Sequence, residues 1–334
     1  MNRFASFRPF FAALAVGLPF TSAALTVSTN RTFTVAPGGT LVIEADRGSI
    51  QVLTAETNSV SVTVERELNR SSDEKAQAVL DEHTLSFAEE GGTVTVKARL
   101  PKTEGIWNRR TAGLSVKYTV TVPSKFNLTL DTAGGNIAVP DLTGAVRLRT
   151  AGGSIRVAKV DGPVKADTAG GNITVEAATG AVEADSAGGS VKLGRLGGPT
   201  TAETAGGSIR IDSASAPLKA SASGGSIVVE SASAPLRLET TGGSVTARFT
   251  GKPDGASSVE CTGGSIAIYA GEGVGFEVDA ESTGGTVRCD LSRDTTGKPS
   301  KNELRGKIAG GGPELKLRSV GGSISLRPLG AKKE

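Results

Sequence analysis

Acidic side chains recur at a fixed place in this sequence from residue 131 onward. Each lies three residues before a pair of glycines, and the pairs follow one another at a nearly constant interval. Stacked carboxylates of this kind could hold a cation, follow a polysaccharide chain, or supply the two acids of a glycosidase. The members of this acidic row are Asp131, Asp167, Asp185, Glu203, Glu239, Glu260 and Glu281.

A simpler interpretation of the acidic row is a solvated, charge-balanced surface. Arg149 and Ser221 interrupt the row, so the carboxylates do not form an unbroken column. In each coil, a second outward position lies two residues before the acidic-row position. Four of these positions have basic side chains: Arg147, Lys165, Lys219 and Arg237. Neighbours of opposite charge on one face of a sheet offset such repulsion. Because exposed ion pairs are common and individually weak, the sequence favours the solvated surface.

A second candidate binding site is Trp107 with Arg109 and Arg110, the most distinctive cluster outside the glycine repeats. Tryptophan and arginine are strongly enriched at binding hot spots, so this cluster is a candidate contact for a partner. It falls in an insertion at 102–113. A polar insertion of this length could equally be a linker in which the tryptophan packs locally.

No catalytic constellation accompanies these candidates. His83 is the only histidine, and no nucleophile-elbow or zinc-ligand spacing surrounds it. The sequence therefore predicts a protein that is not an enzyme, with no catalytic, cofactor-binding or metal-binding residues. Cys261 and Cys289 occupy inward positions 28 residues apart. Export would permit a disulfide between them, but their different places in the repeat favour two buried thiols.

The glycine spacing predicts the elements that position the acidic row. Glycine pairs begin at 134, 152, 170, 188, 206, 224 and 242, a constant step of 18 residues, and continue at 263, 284 and 321. Apolar residues alternate on both sides of each pair, as at Ile155 and Val157, which is typical of β-strands with one buried face. Breakers such as 160–163 separate the strands. The prediction is an all-β fold, a single parallel β-solenoid with two strands in each coil of about 18 residues and irregular capping ends.

The spacing also predicts how the chain turns at each glycine pair, a turn that is called a corner below. Glycine is expected there because it accepts positive φ without a steric penalty. Hydroxyl side chains that point into the core next to the corner are expected to form hydrogen bonds between neighbouring coils. These residues are Thr132, Thr150, Thr168, Ser186, Thr204 and Thr240. The spacing does not fit a left-handed hexapeptide helix, a calcium-binding nonapeptide repeat or an ice-binding threonine face.

The less regular parts of the sequence divide the chain into four predicted regions. Residues 1–24 are predicted to be a signal peptide and 25–130 to be irregular β-coils with a short helix near 71–85. The regular repeats of 18–21 residues occupy 131–291, and 292–334 contains a polar loop, a last coil and a tail. Open solenoid ends would template aggregation. Capping is therefore assigned to the irregular N-terminal part and to the C-terminal coil at 313–328.

An export signal is indicated by Arg3 and Arg8, followed by the apolar stretch 9–20 and small residues at 21–24. The apolar stretch is short for a membrane span, and an N-terminal anchor is the alternative. No other stretch resembles a transmembrane helix. Loss of the two arginines lowers the formal charge from +3 to +1, which argues against nucleic acid as a partner.

Three stretches resemble a known family: PGGTLVIEADRGSIQV (37–52), VKYTVTVPSKFNLTLDTAGGNIAVPDLTGAVRLRTAGGSI (116–155) and LKLRSVGGSISL (315–326). They are similar to the bacterial exported β-strand-repeat proteins named "putative adhesin", a domain of unknown function. The resemblance covers most of 33–328 and implies the repeat fold. Because the matching residues are corners and core, it implies no catalytic motif.

The combined expectation is an exported, non-catalytic protein of the cell envelope or surface that binds or scaffolds through a long rigid surface. Its partner would be an envelope or extracellular protein or glycan. Two alternatives come from other classes: an enzyme acting on polysaccharides, and an envelope-stress accessory protein acting through protein partners. The periplasm, the cell surface and the external medium stay open as its final location.

Overall fold

The computed structural model describes residues 25–68, 73–101, 113–295 and 300–330. These residues form an all-β structure with one short helix, α1 (Asp73–Glu82). The helix lies within the segment where the sequence predicts one. No helix in the described part of the chain has the length and apolar character needed to cross a membrane.

The strands before and through the first regular coils are irregular in length. In chain order they are β1 (Leu25–Thr34), β2 (Thr40–Ala45), β3 (Ser49–Ala55), β4 (Ser59–Leu68), β5 (Thr84–Glu90), β6 (Thr93–Arg99), β7 (Leu114–Pro123), β8 (Asn127–Thr132), β9 (Ile137–Val139), β10 (Leu142–Thr143), β11 (Val146–Thr150) and β12 (Ile155–Asp161).

The following strands are short and evenly spaced. They are β13 (Val164–Thr168), β14 (Ile173–Ala178), β15 (Val182–Ser186), β16 (Val191–Leu196), β17 (Thr200–Thr204), β18 (Ile209–Ala214), β19 (Leu218–Ala222), β20 (Ile227–Ala232), β21 (Leu236–Thr240), β22 (Val245–Phe249), β23 (Ser257–Cys261) and β24 (Ile266–Ala270). The chain ends with β25 (Phe276–Ser282), β26 (Val287–Cys289), β27 (Arg293–Thr295), β28 (Glu303–Ile308), β29 (Glu314–Ser319) and β30 (Ile324–Pro328).

The regular strands stack into two facing parallel sheets. The strand after each glycine pair belongs to sheet A and the strand before it belongs to sheet B. Neighbouring strands keep one register, so that Ala166 of β13 lies beside Ala184 of β15 and Thr168 beside Ser186. The 18-residue step of the sequence is therefore one coil of the structure. The predicted parallel solenoid is confirmed.

The core is a narrow space between the two sheets. Alternate residues of each regular strand are buried, as Ile173 and Val175 are in β14. Sheet B contributes small buried side chains at Ala166, Ala184 and Ala202. Small side chains in one sheet leave room for larger aliphatic ones in the other at the density of a protein interior. This explains how a chain with only 4 % aromatic residues has a continuous core.

The C-terminal coil does not cap the stack, which corrects the assignment made from the sequence. β29 pairs with β23 on one side and β25 on the other, and β30 lies in the same way between β24 and β26. The coil is thus inserted between two coils that precede it in the chain. The alternation of apolar residues predicts a strand and its buried face. It does not predict the neighbour in the sheet, because any strand with the same alternation can pair there.

The N-terminal end is interleaved in the same manner. β2 lies between β6 and β8 in sheet B, and β3 lies between β7 and β9 in sheet A. Antiparallel strands close both ends: β4, β1 and β5 at the N-terminal end, and β28 and β27 at the C-terminal end. The polar segment after β26, predicted as a loop, therefore supplies the strands that cap the C-terminal end.

Close approach of stacked backbones, rather than positive φ, explains the second glycine of each pair. A Cβ on Gly153 would lie 1.9 Å from the carbonyl oxygen of Gly135, and a Cβ on Gly171 would lie 2.0 Å from that of Gly153. A Cβ on Gly152 would meet only Gly134 Cα, at 4.0 Å. Among the second glycines from 135 onward, Gly135 alone has φ in the left-handed region, at +148°. The expectation of positive φ at every corner is wrong.

Candidate functional site

An inward hydroxyl follows each acidic position in most coils and fixes the corner next to it. Thr168 Oγ1 donates to the carbonyl oxygen of Gly153 in the previous coil at 2.8 Å and accepts from the N–H of Gly171 at 3.2 Å. The same two bonds recur at Thr150, Ser186, Thr204 and Thr240. The predicted hydroxyl ladder is therefore confirmed, and it holds each neighbouring carboxylate at a fixed height in the stack.

Cys261 takes the place of the hydroxyl in one coil. Its Sγ lies 3.0 Å from the carbonyl oxygen of Gly243 and 3.2 Å from the N–H of Gly264. Burial raises the pKa of this thiol. Cys289 is half-buried and, like Cys261, forms no disulfide. The expected buried thiol is therefore found at Cys261, whereas Cys289 is only partly enclosed.

A second ladder, which the sequence analysis did not identify, runs along the other side of the corner. The residue after each glycine pair accepts a hydrogen bond from the backbone N–H of its counterpart in the next coil. Ser154 N donates to Asn136 Oδ1 at 2.8 Å, and Asn172 N donates to Ser154 Oγ at 3.1 Å. The ladder passes through the inserted coil, where Ser323 N donates to Ser265 Oγ at 3.2 Å. Its signal in the sequence is the repeated Asn or Ser at this position.

The structure aligns the acidic row on the outer face of sheet B. Asp167 lies beside Asp185, and Asp185 lies beside Glu203, in adjacent strands. Arg149 and Ser221 bound this run of three carboxylates on either side. The register predicted from the sequence therefore brings these three acids together in space.

The inserted coil changes the C-terminal part of the acidic row. It places Arg318 between Glu260 and Glu281, which consecutive glycine pairs would have made neighbours. Arg318 Nη2 contacts Asp279 Oδ2 at 2.5 Å, and its Nε lies 3.7 Å from Glu281 Oε2. This arginine holds the pKa of the Asp279 carboxyl below its ordinary value. An arginine that is distant in sequence thus interrupts the C-terminal part of the row and offsets part of its charge.

An open groove of about 790 Å³, here called the acid groove, runs along the central part of the row. Asp131, Asp167, Asp185 and Glu203 line it together with Arg149 and with alanines and hydroxyl residues of the corners. Partial burial, followed by the charges of Asp167 and Glu203, raises the pKa of Asp185. The described residues include no group of three or more acidic, histidine or cysteine side chains arranged to hold a metal ion.

The basic row next to the acid groove offsets only part of its charge. Lys219 Nζ lies 2.9 Å from Glu203 Oε1, as the predicted charge balance requires. Lys165 pairs instead with Glu183, which belongs to its own row. Among the described residues, the salt bridges of this part of the face therefore reach neither Asp167 nor Asp185. The centre of the groove thus has two adjacent carboxylates outside these salt bridges, while Arg149 lies beside Asp167 in the neighbouring strand and the charge of Lys165 offsets part of the rise in the pKa of Asp185.

A second groove, of about 590 Å³, crosses sheet B where its regular strands begin, at the end opposite to the glycine pairs. Pro199, Pro217 and Pro235 line it at successive corners, with Lys219 and Arg237 along its side. The sequence analysis did not identify this groove. The recurrence of these prolines at one position of the repeat was the available signal.

The tryptophan–arginine cluster and the single histidine are the remaining candidates from the sequence. Trp107, Arg109 and Arg110 lie outside the described residues, so their role stays a prediction. His83 follows α1 and is buried, and neither ring nitrogen has a hydrogen-bond partner within the described part of the chain. Burial, and after it the charge of Arg66, lowers the pKa of His83 from 6.5 to about 4. The histidine is part of the packed N-terminal end.

The N-terminal end contains further buried polar atoms around this histidine. Arg66 Nη1 donates to the carbonyl oxygens of Leu80 and His83 at 3.1 and 3.3 Å, which ties α1 to β4. The Tyr118 hydroxyl and Arg66 Nε have no hydrogen-bond partner, and burial raises the pKa of Tyr118. The terminal coils therefore satisfy their polar groups less completely than the regular corners do.

A family model covers most of this architecture. The model of Toastrack DUF4097 matches residues 39–327. The chain belongs to the Toastrack DUF4097 family. The resemblance recognised in the repeat motifs is thus confirmed. The matched range of this Toastrack chain includes the acid groove, the inserted coil and the antiparallel strands other than β1.

The Toastrack chain is also similar to solved structures at low sequence identity. A "putative adhesin" from Bacteroides fragilis is 11 % identical with a TM-score of 0.36, over 91 % of this chain and 97 % of that one. A "putative adhesin" from Parabacteroides merdae is 9 % identical with a TM-score of 0.36, over 90 % and 96 %. A "putative lipid binding protein" from Parabacteroides distasonis is 13 % identical with a TM-score of 0.36, over 90 % and 96 %. The comparison with curated proteins gave no match.

Proposed function

We propose that this Toastrack chain is an exported, non-catalytic protein of the cell envelope or surface, and that its acid groove binds a partner in an adhesion or scaffolding role. The observation that supports this proposal is the groove itself. It is open along several coils, and its centre has two adjacent carboxylates that no salt bridge of the described residues reaches. A positively charged, extended partner, such as a basic segment of an envelope or extracellular protein, fits this charge and shape.

Repulsion between the adjacent carboxylates of Asp167 and Asp185 opposes folding, which supports a binding role over a purely structural one. Two unit charges about 5 Å apart repel by roughly 0.8 kcal/mol in water. The raised pKa of Asp185 shows that its charged form is disfavoured in the folded protein. Residues that lower stability are typical of functional sites, where activity requires an arrangement that folding alone does not.

The corner ladders prepare the groove for binding. Each coil is bonded to the next on both sides of the glycine pair, as at Thr168 and Ser154. A surface built on such a stack loses little conformational freedom when a partner binds, and this preserves affinity. The same rigidity suits a scaffold that presents identical positions at a repeat of about 4.8 Å.

The groove is tested with Asp185→Asn and a matched change on the outer face of sheet A, Glu176→Gln. Oligolysine serves as the cationic probe, and calorimetry measures its binding at low salt. We expect Asp185→Asn to weaken binding several-fold while raising the melting temperature at pH 7, because it removes a repelling charge. Glu176→Gln should change neither quantity much. Equal binding by the Asp185→Asn variant and the unaltered protein would contradict the assignment of the groove.

Location and lack of catalysis need separate experiments. Cell fractionation should place the protein outside the cytoplasm, and protease treatment of intact cells should distinguish the surface from the periplasm. Incubation with cell-wall and extracellular glycans should release no reducing ends. A full-length cytoplasmic protein would overturn the export proposal, and released reducing ends would favour the enzyme alternative.

A further inference from the structure

The described sheets end in four edge strands that differ in how well they are protected. Sheet A ends in β1 and β26, and sheet B ends in β5 and β27. β26 and β27 have three residues each, and β5 ends in Glu89 and Glu90. Short length and charge are the usual ways in which proteins protect an open edge from pairing. β1 has 10 residues with a single charge, Arg31, and no proline or glycine.

Half-buried apolar side chains accompany this unprotected edge. Val27 and Phe33 of β1, and Leu85 and Phe87 of β5, pack against the core but are not fully covered. Arg31 lies over the Phe87 ring, 5.8 Å from its centroid. The one charge of β1 therefore lies between the Phe87 ring of β5 and the carbonyl oxygen of Asn30, to which Arg31 Nη1 donates at 3.1 Å. Among the described residues, the N-terminal end thus has an unpaired strand edge and a half-buried apolar layer at the same place.

We propose that β1 pairs with β1 of a second copy of this chain, forming a two-fold symmetric dimer through the N-terminal ends. A two-fold axis normal to the sheet makes the two edge strands antiparallel, which is the symmetric way to join identical edges. The same axis brings the two β5 edges toward each other. Both sheets then continue across the dimer, and the two regular stacks extend in opposite directions.

The sequence of β1 is compatible with pairing to itself. Val27, Thr29, Arg31 and Phe33 share the inward face, since they pair with successive alternate residues of β4. A register centred on Asn30 places Val27 of one copy opposite Phe33 of the other and Arg31 opposite Thr29. Apolar side chains then meet on the core face, and no like charges face each other, so cross-strand pairing is favourable. This dimer does not depend on the function proposed for the acid groove.

Sedimentation equilibrium of the purified chain tests the dimer, from about 1 to about 100 µM, the range of a modest interface. We expect a concentration-dependent dimer that Asn30→Lys shifts at least about tenfold toward monomer, because two lysines would meet at the axis. The control is Thr174→Lys in β14, on the same face of sheet A but inside the stack. It should leave the dimer unchanged.

A cysteine at the axis gives a positive test of the same contact. In a Cys289→Ser background, Asn30→Cys should form an intermolecular disulfide under mild oxidation, because directly opposed residues lie within reach. Thr174→Cys should not. A monomer at every concentration overturns the proposal and indicates that another segment or another protein covers β1. A dimer that Asn30→Lys leaves intact, or that forms no Asn30→Cys disulfide, places the contact elsewhere and also overturns it.

Discussion

The regular coils and the two ends of this molecule reach stability in different ways. In coils such as β13 to β18, every strand pairs with the strand one repeat away, and each corner hydroxyl has its partners. At the ends, strands pair across insertions, and among the described residues the ring nitrogens of His83 and the hydroxyl of Tyr118 are buried without hydrogen-bond partners. The repeated part thus depends on identical close contacts, whereas the ends depend on interleaving.

This contrast has a physical basis. A contact repeated in every coil stabilises the stack through nearest neighbours alone, so any coil can be extended by the next. An end has no further neighbour and must cover its open edges. Interleaving fixes the last coil between two others, so that it cannot fray independently. Substitutions in the regular coils should therefore alter stability mainly through packing. Substitutions at the ends should alter it mainly through charge and solvation.

The largest effect is expected from Gly153→Ala. The new Cβ would lie 1.9 Å from the carbonyl oxygen of Gly135, so two coils would have to separate at the corner. We expect a loss of about 3 kcal/mol or more in the free energy of unfolding, measured by urea denaturation. Gly152→Ala is the matched control, because its nearest neighbour would be 4.0 Å away. Similar losses in both variants would show that the tight stacking is not the reason for the second glycine.

A pH-dependent loss of similar size is expected at the N-terminal end. His83 has a pKa of about 4 in the folded protein against 6.5 ordinarily, so the unfolded chain binds more protons between these values. Stability from this group is therefore present at neutral pH and decreases as pH falls from about 6.5 to about 4, by on the order of 3 kcal/mol. His83→Leu should remove this dependence. Because His83 is the only histidine, its NMR titration is resolved directly, and a midpoint near 6.5 would refute the burial argument.

A smaller effect is expected from Thr168→Val in the hydroxyl ladder. Valine keeps the shape but leaves the carbonyl of Gly153 and the N–H of Gly171 without this partner. The expected loss is about 1 to 3 kcal/mol in the free energy of unfolding. Ala222 interrupts the ladder and is buried, so Ala222→Thr should have the opposite sign if the hydroxyl fits. A stable Thr168→Val variant would mean that backbone pairing alone holds the corner.

The smallest effect is expected from Lys219→Ala on the outer face. Its salt bridge to Glu203, at 2.9 Å, is exposed, and exposed pairs contribute about 0.2 to 1 kcal/mol. The loss should diminish further in high salt, because ions screen exposed charges. Thermal melts at low and high ionic strength measure both quantities. A loss comparable to that of Thr168→Val would show that charge pairing contributes more to this face than expected.

The sequence alone determined the coil, its two strands, the inward hydroxyls and the alignment of Asp167, Asp185 and Glu203. These features depend on contacts one repeat apart, and a period of 18 residues encodes such contacts directly. The Asn and Ser ladder was encoded equally well, in the residue after each glycine pair, but its hydrogen bonds become evident only when the stacked backbones are seen.

Only the tertiary structure decided the order of the coils at the ends. Alternation specifies the buried face of β29 without specifying its neighbours, because parallel strands of the same pattern are interchangeable at an edge. The inserted coil therefore put Arg318 into the acidic row from a distant part of the chain. The unpaired ring of His83 likewise results from packing between α1 and the terminal coils. Such contacts join segments with no shared period, so the linear sequence does not specify them.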